Sequence, residues 1–223
     1  MINRPFLIVN PKAYLYGNSS LELAKECDRL SQKYEIDIIF TAQHVDLRMI
    51  SEQCKNLIVT AQHSDPINIG RGMGHILIEG LKDAGVRACV INHAEHEVTF
   101  ENLEKTINRL RDNNIMSIVC ANTYEDCSKI AKLSPDIMII EASDNIESGQ
   151  LSSDEYIKDT INIVRNINRD IKIIHAAGVS TAQDVEHILE LGADGTGGTS
   201  SIVKAKEPVK KVQEMIEAMI KFK

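Results

Sequence analysis

The sequence predicts a single α/β domain over residues 1–223, in which eight parallel strands, each followed by a helix, close into a βα barrel. Three observations carry this reading. Short apolar runs recur eight times, at about 28 residues per unit, each followed by a polar exit and an amphipathic segment. Most of these runs are rich in Ile and Val and nearly continuous in apolarity, as strands covered on both faces are. No Pro-, Gly- or Ser-rich linker, charge block or low-complexity tract divides the chain. An open doubly wound sheet is the alternative, but open sheets rarely reach eight strands without insertions.

The runs are, in order, "FLIVN" (6–10), "IDIIFTA" (36–42), "LIVTAQ" (57–62), "ACVIN" (88–92), "SIVCA" (117–121), "IMIIE" (137–141), "IKIIHA" (171–176) and "GTGGT" (195–199). The eighth has poor strand propensity and is placed by its position in the repeat. Three intervening helices have start signals, with a hydroxyl residue and an acid or amide three residues later: Ser19 with Glu22, Ser152 with Glu155, and Ser180 with Gln183. The last helix turns Val185, Ile188 and Leu189 to one face and ends at Gly192.

Composition narrows the function. Hydrophobic residues make up 43% of the 223 residues, enough for one well-buried core, but aromatics only 4% and there is no Trp. The core must therefore be built from Ile, Val, Leu, Ala and Met. Net charge is −7 and the 25 Lys and Arg are scattered, which argues against nucleic acid, since phosphates need a concentrated basic surface. Phe6 to Val9 is too short for a signal-peptide core or a membrane span, so a soluble cytoplasmic protein is expected. Five cysteines without a CxxC pair read as reduced thiols rather than a disulfide framework.

Barrels of this type assemble their sites at the carboxyl ends of the strands. The residues there are Asn10, Lys12, Gln62, His63, Asn92, His93, Glu141 and the segments after His175 and Gly195. Pro11 holds Asn10 extended, so Asn10 and Lys12 can leave toward one mouth; read alone, Lys12 is equally a solvated surface lysine. A lone histidine at a strand end is more often structural than catalytic, and His93 and His96, three apart as helical metal ligands could be, lack a further ligand for zinc. Glu141 closes an apolar run, where desolvation raises its pKa toward a general base's range; an ordinary ion-paired acid is the other reading. "HAAGVST" and "GTGGTSS" are small-residue loops leading into helices, after strands seven and eight, where barrels commonly hold phosphate.

Together these residues resemble the triosephosphate isomerase family, in its short archaeal-type branch, and the resemblance covers nearly the whole chain. "NPKAY" is similar to the family's Asn-x-Lys opening, "VDLRMI" and "AQHSDP" to its second and third loops, and "INHAEHE" to its Ile-Asn-His-Ser-Glu-Arg-Arg. "GVSTAQDVEHILELGADG" and "SSIVKAKEP" are similar to its phosphate-binding end. The resemblance implies a TIM barrel in which Glu141 moves a proton between adjacent carbons and His93 is a neutral electrophile, the family's established pairing. It implies that Lys12 offsets the charge of enediolate and phosphate, that Asn10 orients it and that Glu95 buttresses Lys12. Ser148, Gly149, Gly178, Thr199 and Ser200 would bind the phosphorylated substrate. No metal or organic cofactor is implied; a homo-oligomer, dimer or tetramer, is.

The chain also departs from the family pattern. Ala94 stands where the family has Ser, and His96 and Glu97 where it has arginines. The lid after Glu141 reads "ASDNIESGQ" without the family's prolines, and Glu147 replaces a lid glycine. Met73 takes the place of a threonine that crosses to a partner subunit, and Ala176 that of a glycine before the phosphate turn. The expected function is interconversion of dihydroxyacetone phosphate and glyceraldehyde 3-phosphate. The departures leave two alternatives: an isomerase of another short sugar phosphate, such as a tetrulose phosphate, or a barrel that binds a phosphorylated metabolite without turning it over.

Overall fold

A computed structural model describes residues 2–142 and 151–223, and its eight strands pair in chain order into a closed parallel barrel. The strands are β1 (Phe6–Val9), β2 (Ile38–Ala42), β3 (Ile58–Ala61), β4 (Ala88–Ile91), β5 (Met116–Ala121), β6 (Ile137–Ile140), β7 (Lys172–Ile174) and β8 (Gly195–Gly198). All eight expected runs form strands, several of them a residue or two shorter because the polar exit has already left the ladder. Helices follow as α1 (Gly17–Tyr34), α2 (Leu47–Gln53), α3 (Ile78–Asp83), α4 (Phe100–Asp112), α5 (Tyr124–Ala131) and α6 (Asp154–Ile167). The last are α7 (Ala182–Glu190), α8 (Ser200–Val203) and α9 (Pro208–Met219).

The alternation of side chains along each strand divides the core in two. Phe6, Ile8, Ile39, Ile58, Ala88, Val90, Ile118, Cys120, Ile137, Ile139 and Ile174 pack inside the ring. Leu7, Val9, Ile38, Phe40, Val59, Ile91, Val119, Met138 and Ile140 face outward, against Leu30, Ile107, Ile161, Val185 and Met215 of the helices. Both faces of the strands are thus covered, which is why the runs read as continuously apolar.

The ring closes where β1 pairs with β8, from Phe6 opposite Gly195 to Val9 opposite Gly198. The weak strand propensity of β8 has a steric cause here. A Cβ at Gly197 would lie 1.9 Å from the carbonyl oxygen of Ile8, and one at Gly195 would lie 2.7 Å from that of Phe6. The backbone and side chains of β1 fill the space that side chains on β8 would need, so glycine is required where propensity disfavours it.

Helix starts differ from expectation by one or two residues. Helix α1 begins at Gly17 rather than near Ser19, whose hydroxyl donates to the Tyr16 carbonyl at 2.8 Å. Helix α6 is capped by Ser153, accepting from the Tyr156 N–H, rather than by Ser152. In α7 the reciprocal cap joins Thr181 to Asp184, not Ser180 to Gln183. Neighbouring hydroxyl residues have equivalent cap chemistry, and the preceding loop decides which one reaches the orphan N–H. Gly192, at φ 106°, ends α7 as expected.

Gly197→Ala should therefore destabilise the fold by at least ~3 kcal/mol, since backbone must move to admit the methyl group. Gly80→Ala, inside α3 with open space around the added Cβ, should stabilise it by up to ~1 kcal/mol. Urea unfolding of both variants checks the contrast.

Candidate active site at the carboxyl end of the barrel

The inward parity of β1, β2 and β6 carries polar side chains to the mouth of the barrel. After Phe6 and Ile8 comes Asn10; after Ile39, Thr41; after Ile137 and Ile139, Glu141. The hydroxyl of Thr41 donates to Asn10 Oδ1 at 2.6 Å, and the Glu141 N–H still reaches the Ala121 carbonyl at 3.1 Å. Rigid strand ends therefore hold these polar groups over an apolar floor of Ile8, Val90 and Ile139. Above that floor lies a cavity of about 370 Å³ bordered by Asn10, Lys12, His93, Glu141, Gly178, Thr199 and Ser200. Of the described residues to which the resemblance gives a role, all border this cavity except Glu95, which touches it through Lys12; Gln62 and His63 border an adjoining cavity instead, and Asn92 borders neither. Ser148 and Gly149, like Asp144, Asn145 and Glu147, lie outside the described residues.

Lys12 sits at φ 47°, a left-handed conformation costly for a residue with a Cβ. Polar contacts hold it there. Its N–H donates to Asn10 Oδ1 at 3.0 Å, and its carbonyl accepts from the side-chain amides of Gln62 at 2.9 Å and Gln43 at 3.3 Å. The Gln43 amide also donates to Gln62 Oε1 at 2.9 Å. With Asn10 Oδ1 taken twice, the amide nitrogen of Asn10 is the group left to face the cavity. Lys12 Nζ meets Glu95 Oε1 at 2.6 Å, with the lysine side chain only 13% exposed.

His93 arrives by a different route. Asn92, at φ 62°, breaks the parity of β4, and its side chain spans the gap: its amide donates to the Cys120 carbonyl, and its Oδ1 accepts from the Val98 N–H, both at 3.1 Å. His93 and His96 do not lie on a helix. The segment is a tight turn closed by the His96 N–H donating to the His93 carbonyl at 2.7 Å. Within it the Glu95 N–H donates to His93 Nδ1 at 3.1 Å. Nδ1 is therefore an acceptor, so the ring proton lies on Nε2. Burial, and then the Lys12 cation, hold the His93 pKa below its ordinary value, which keeps the ring neutral.

Burial pushes the Glu141 carboxyl up to about 7; Lys12 opposes this and Glu95 adds to it. A carboxylate poised there can accept a proton near neutral pH and return it. His175, also at a strand end, is a different case: burial holds its pKa at about 3, and it lies within 3.3 Å of the Thr160 hydroxyl. It is a neutral structural residue.

The far end of the cavity is formed by the turns after β7 and β8, with Gly178 at φ 77°. Ser201 also borders it, and its buried Oγ has no hydrogen-bond partner among the described residues. A Cβ at Gly198 would lie 2.4 Å from that oxygen, so glycine there leaves room for the hydroxyl. The sequence reading passed over Thr41, Gln43, Ser201 and Lys204. The inward parity of β2 could have found the first, whereas Lys204, held over the Tyr14 ring at 4.8 Å, carries no signal beyond its type. Among the described residues no group of three or more His, Cys, Asp or Glu is arranged to hold a metal ion, and no helix is long and apolar enough to cross a membrane.

Comparison with known proteins agrees with the fold. The family model described as triosephosphate isomerase matches residues 5–219. The triosephosphate isomerase of Methanothermus fervidus is 35% identical over 223 residues, covering 98% of this chain and all of that protein. That of Methanocaldococcus jannaschii is 38% identical, covering 97% of this chain and 99% of the relative. That of Sulfolobus acidocaldarius is 34% identical, covering 97% and 96%.

The Glu141 pKa also has a consequence for stability. The folded chain holds the carboxyl proton up to about pH 7, the unfolded chain only to about 4.5. Stability is therefore lost as pH rises between these values. Glu141→Gln lacks this titration and should exceed the parent by up to ~3 kcal/mol at pH 8, with the gap closing toward pH 5. Denaturant unfolding at the two pH values measures it.

Proposed function

This chain belongs to the triosephosphate isomerase family, and we propose that Glu141, His93 and Lys12 carry its reaction, the interconversion of dihydroxyacetone phosphate and glyceraldehyde 3-phosphate. The observation that carries the assignment is the convergence of three groups on one cavity: a carboxyl poised at about 7, an imidazole with its only proton on Nε2, and a lysine pinned by Glu95.

Glu141 takes the proton from C1 of the ketone, and the electron pair moves onto the C2 carbonyl oxygen. The Nε2–H of His93 donates a hydrogen bond to that oxygen as negative charge develops, giving an enediolate. Lys12 offsets the charge and Asn10 orients the oxygen through its amide nitrogen. Return of the proton from Glu141 to C2, with the hydroxyl proton relocated between the oxygens, gives the aldehyde. A neutral imidazole suits the task, because its own pKa is closer to that of the enediol than an imidazolium's would be. This carboxylate–imidazole pairing is the family's established one.

The phosphate sits at the opposite end, against the backbone at Gly178, Thr199 and Ser200, where small residues allow close approach. The Ser201 hydroxyl, without a partner among the described residues, is a further donor for it. The tetrulose-phosphate and non-catalytic readings gain no support from relatives that match along their whole length and are named triosephosphate isomerase. The reaction as written draws on no metal or cofactor, and the chemistry suits a cytoplasmic enzyme.

The third loop supports an oligomer of this chain. Met73 is fully exposed and Ile69 largely so, and Tyr14, Tyr16 and Val45 are exposed as well. A second cavity of about 500 Å³, bordered by Gln43, His44, His63, His75 and His96, adjoins the first and shares Lys12 and His93 with it. Met73 of one copy inserting into this cavity of another would cover both.

Purified protein should convert triose phosphates, with kcat/KM falling at least about tenfold per pH unit below 7 as Glu141 is protonated. Glu141→Gln should lower kcat by about a hundredfold to ten-thousandfold. Unchanged turnover in that variant excludes Glu141 as the base. In sedimentation velocity the parent should run as an oligomer and Met73→Glu as a smaller species; a monomeric parent removes the assembly.

A further inference from the structure

We propose that His96 is a positioning residue: its ring, stacked on the buried ring of His63, fixes the turn that aims His93 and Glu95 into the cavity. The inference rests on the catalytic reading above and extends it to a side chain outside the reacting groups.

The turn from His93 to His96 carries two functional side chains, yet residues 94–97 are exposed. Its internal bonds, from the His96 N–H to the His93 carbonyl and from the Glu95 N–H to His93 Nδ1, set its shape. They do not set its tilt over the barrel. The tilt needs a contact to something outside the turn. Asn92 anchors the entry to the turn, through the Cys120 carbonyl and the Val98 N–H. At the exit the His96 ring lies face to face with that of His63, with centroids 3.8 Å apart and planes 17° from parallel.

His63 is a rigid platform. It is only 9% exposed, its carbonyl meets His44 Nε2 at 2.7 Å, and its own Nε2 faces Asp65 at 3.5 Å. Asp65 is fixed in turn by the Ile76 N–H at 2.6 Å and by His75 at 3.1 Å. The chain of contacts runs from β3 through His63 and His96 to His93 and Glu95, and ends on Lys12.

The stack requires at least one neutral ring, since two imidazolium ions at this distance repel. The ionisable groups that border the same cavity as the stack are His44, Asp65, His75, Lys12, His93 and Glu95. Burial and the neighbouring His96 oppose protonation of His63, while Asp65 favours it. Protonation on the acid side would loosen the turn and displace His93, in addition to neutralising Glu141.

The test compares His96→Ala, which removes the ring, with His96→Phe, which keeps a stacking ring that cannot titrate. His96→Ala should lose about tenfold to a hundredfold in kcat, the scale of misaligned reacting groups, with KM changed less than about threefold and the His93 ring NMR signals shifted. His96→Phe should recover most of the parent's kcat, and its acid limb should follow one proton where the parent's is steeper. Parental kcat and pH profile in His96→Ala, or equal impairment of both variants, overturns the proposal. A parent that turns over no triose phosphate defeats the catalytic reading instead; the His93 signals then decide the clamp on their own, with unshifted signals in His96→Ala overturning it.

Discussion

Closing eight strands into a ring leaves alternate side chains of every strand only the barrel axis to point at. That constraint organises the rest of the molecule. Along most of the barrel it produces a packed column of Phe6, Ile8, Ile39, Ile58, Val90, Ile118, Ile137, Ile139 and Ile174. At the mouth, the same parity delivers Thr41 from near the end of β2, and Asn10 and Glu141 from one step beyond β1 and β6. The apolar column excludes water from below, and the desolvation that brings the Glu141 carboxyl to about 7 follows from its place on top of that column. Core packing and acid–base chemistry are two consequences of one geometry.

Where function needs a departure from parity, the chain uses left-handed residues held by amide side chains. Asn92 and Lys12 both have positive φ. The first lets His93 occupy a position that straightforward alternation would deny it. The second turns a lysine back over the barrel from beyond a strand end. Each strained residue is surrounded by Asn or Gln side chains that bind backbone groups: Asn10, Gln43 and Gln62 around Lys12, and the side chain of Asn92 itself across β4 and β5. Amides suit this task because they donate and accept without adding charge beside a carboxylate whose pKa must stay raised.

These two kinds of positioning differ in how far the sequence reveals them. The strands were legible because a two-sided environment leaves an unbroken apolar signature, and Glu141 was legible because it terminates one. β8 was legible only from the repeat, since its glycines answer to Phe6 and Ile8 across the closing seam, a contact almost 190 residues distant in sequence. The caps were misplaced by a residue or two because Ser152 and Ser153, or Ser180 and Thr181, have the same chemistry and differ only in how the loop before them closes. The turn from His93 to His96 left no sequence signal, because it depends on a positive φ at Asn92. Gln43 and Lys204 went unread because their roles depend on neighbours from other loops.

The charge distribution follows from the same division between global and local. A net charge of −7 opposes a dianionic substrate at long range, but screening at physiological ionic strength confines that field to roughly 8 Å. Inside the cavity the nearest charges decide. Lys12 is held within the shared space by Glu95, and Lys204 borders the phosphate end. In the proposed reaction, backbone groups and the Ser201 hydroxyl would supply the remaining attraction. A phosphate site made this way adds little positive charge near Glu141, where each additional cation would pull the base's pKa down and weaken its hold on a proton. The balance between anchoring a dianion and keeping a carboxyl poised near neutrality therefore favours dipoles and hydroxyls at the phosphate end, with a single buttressed lysine at the reacting end.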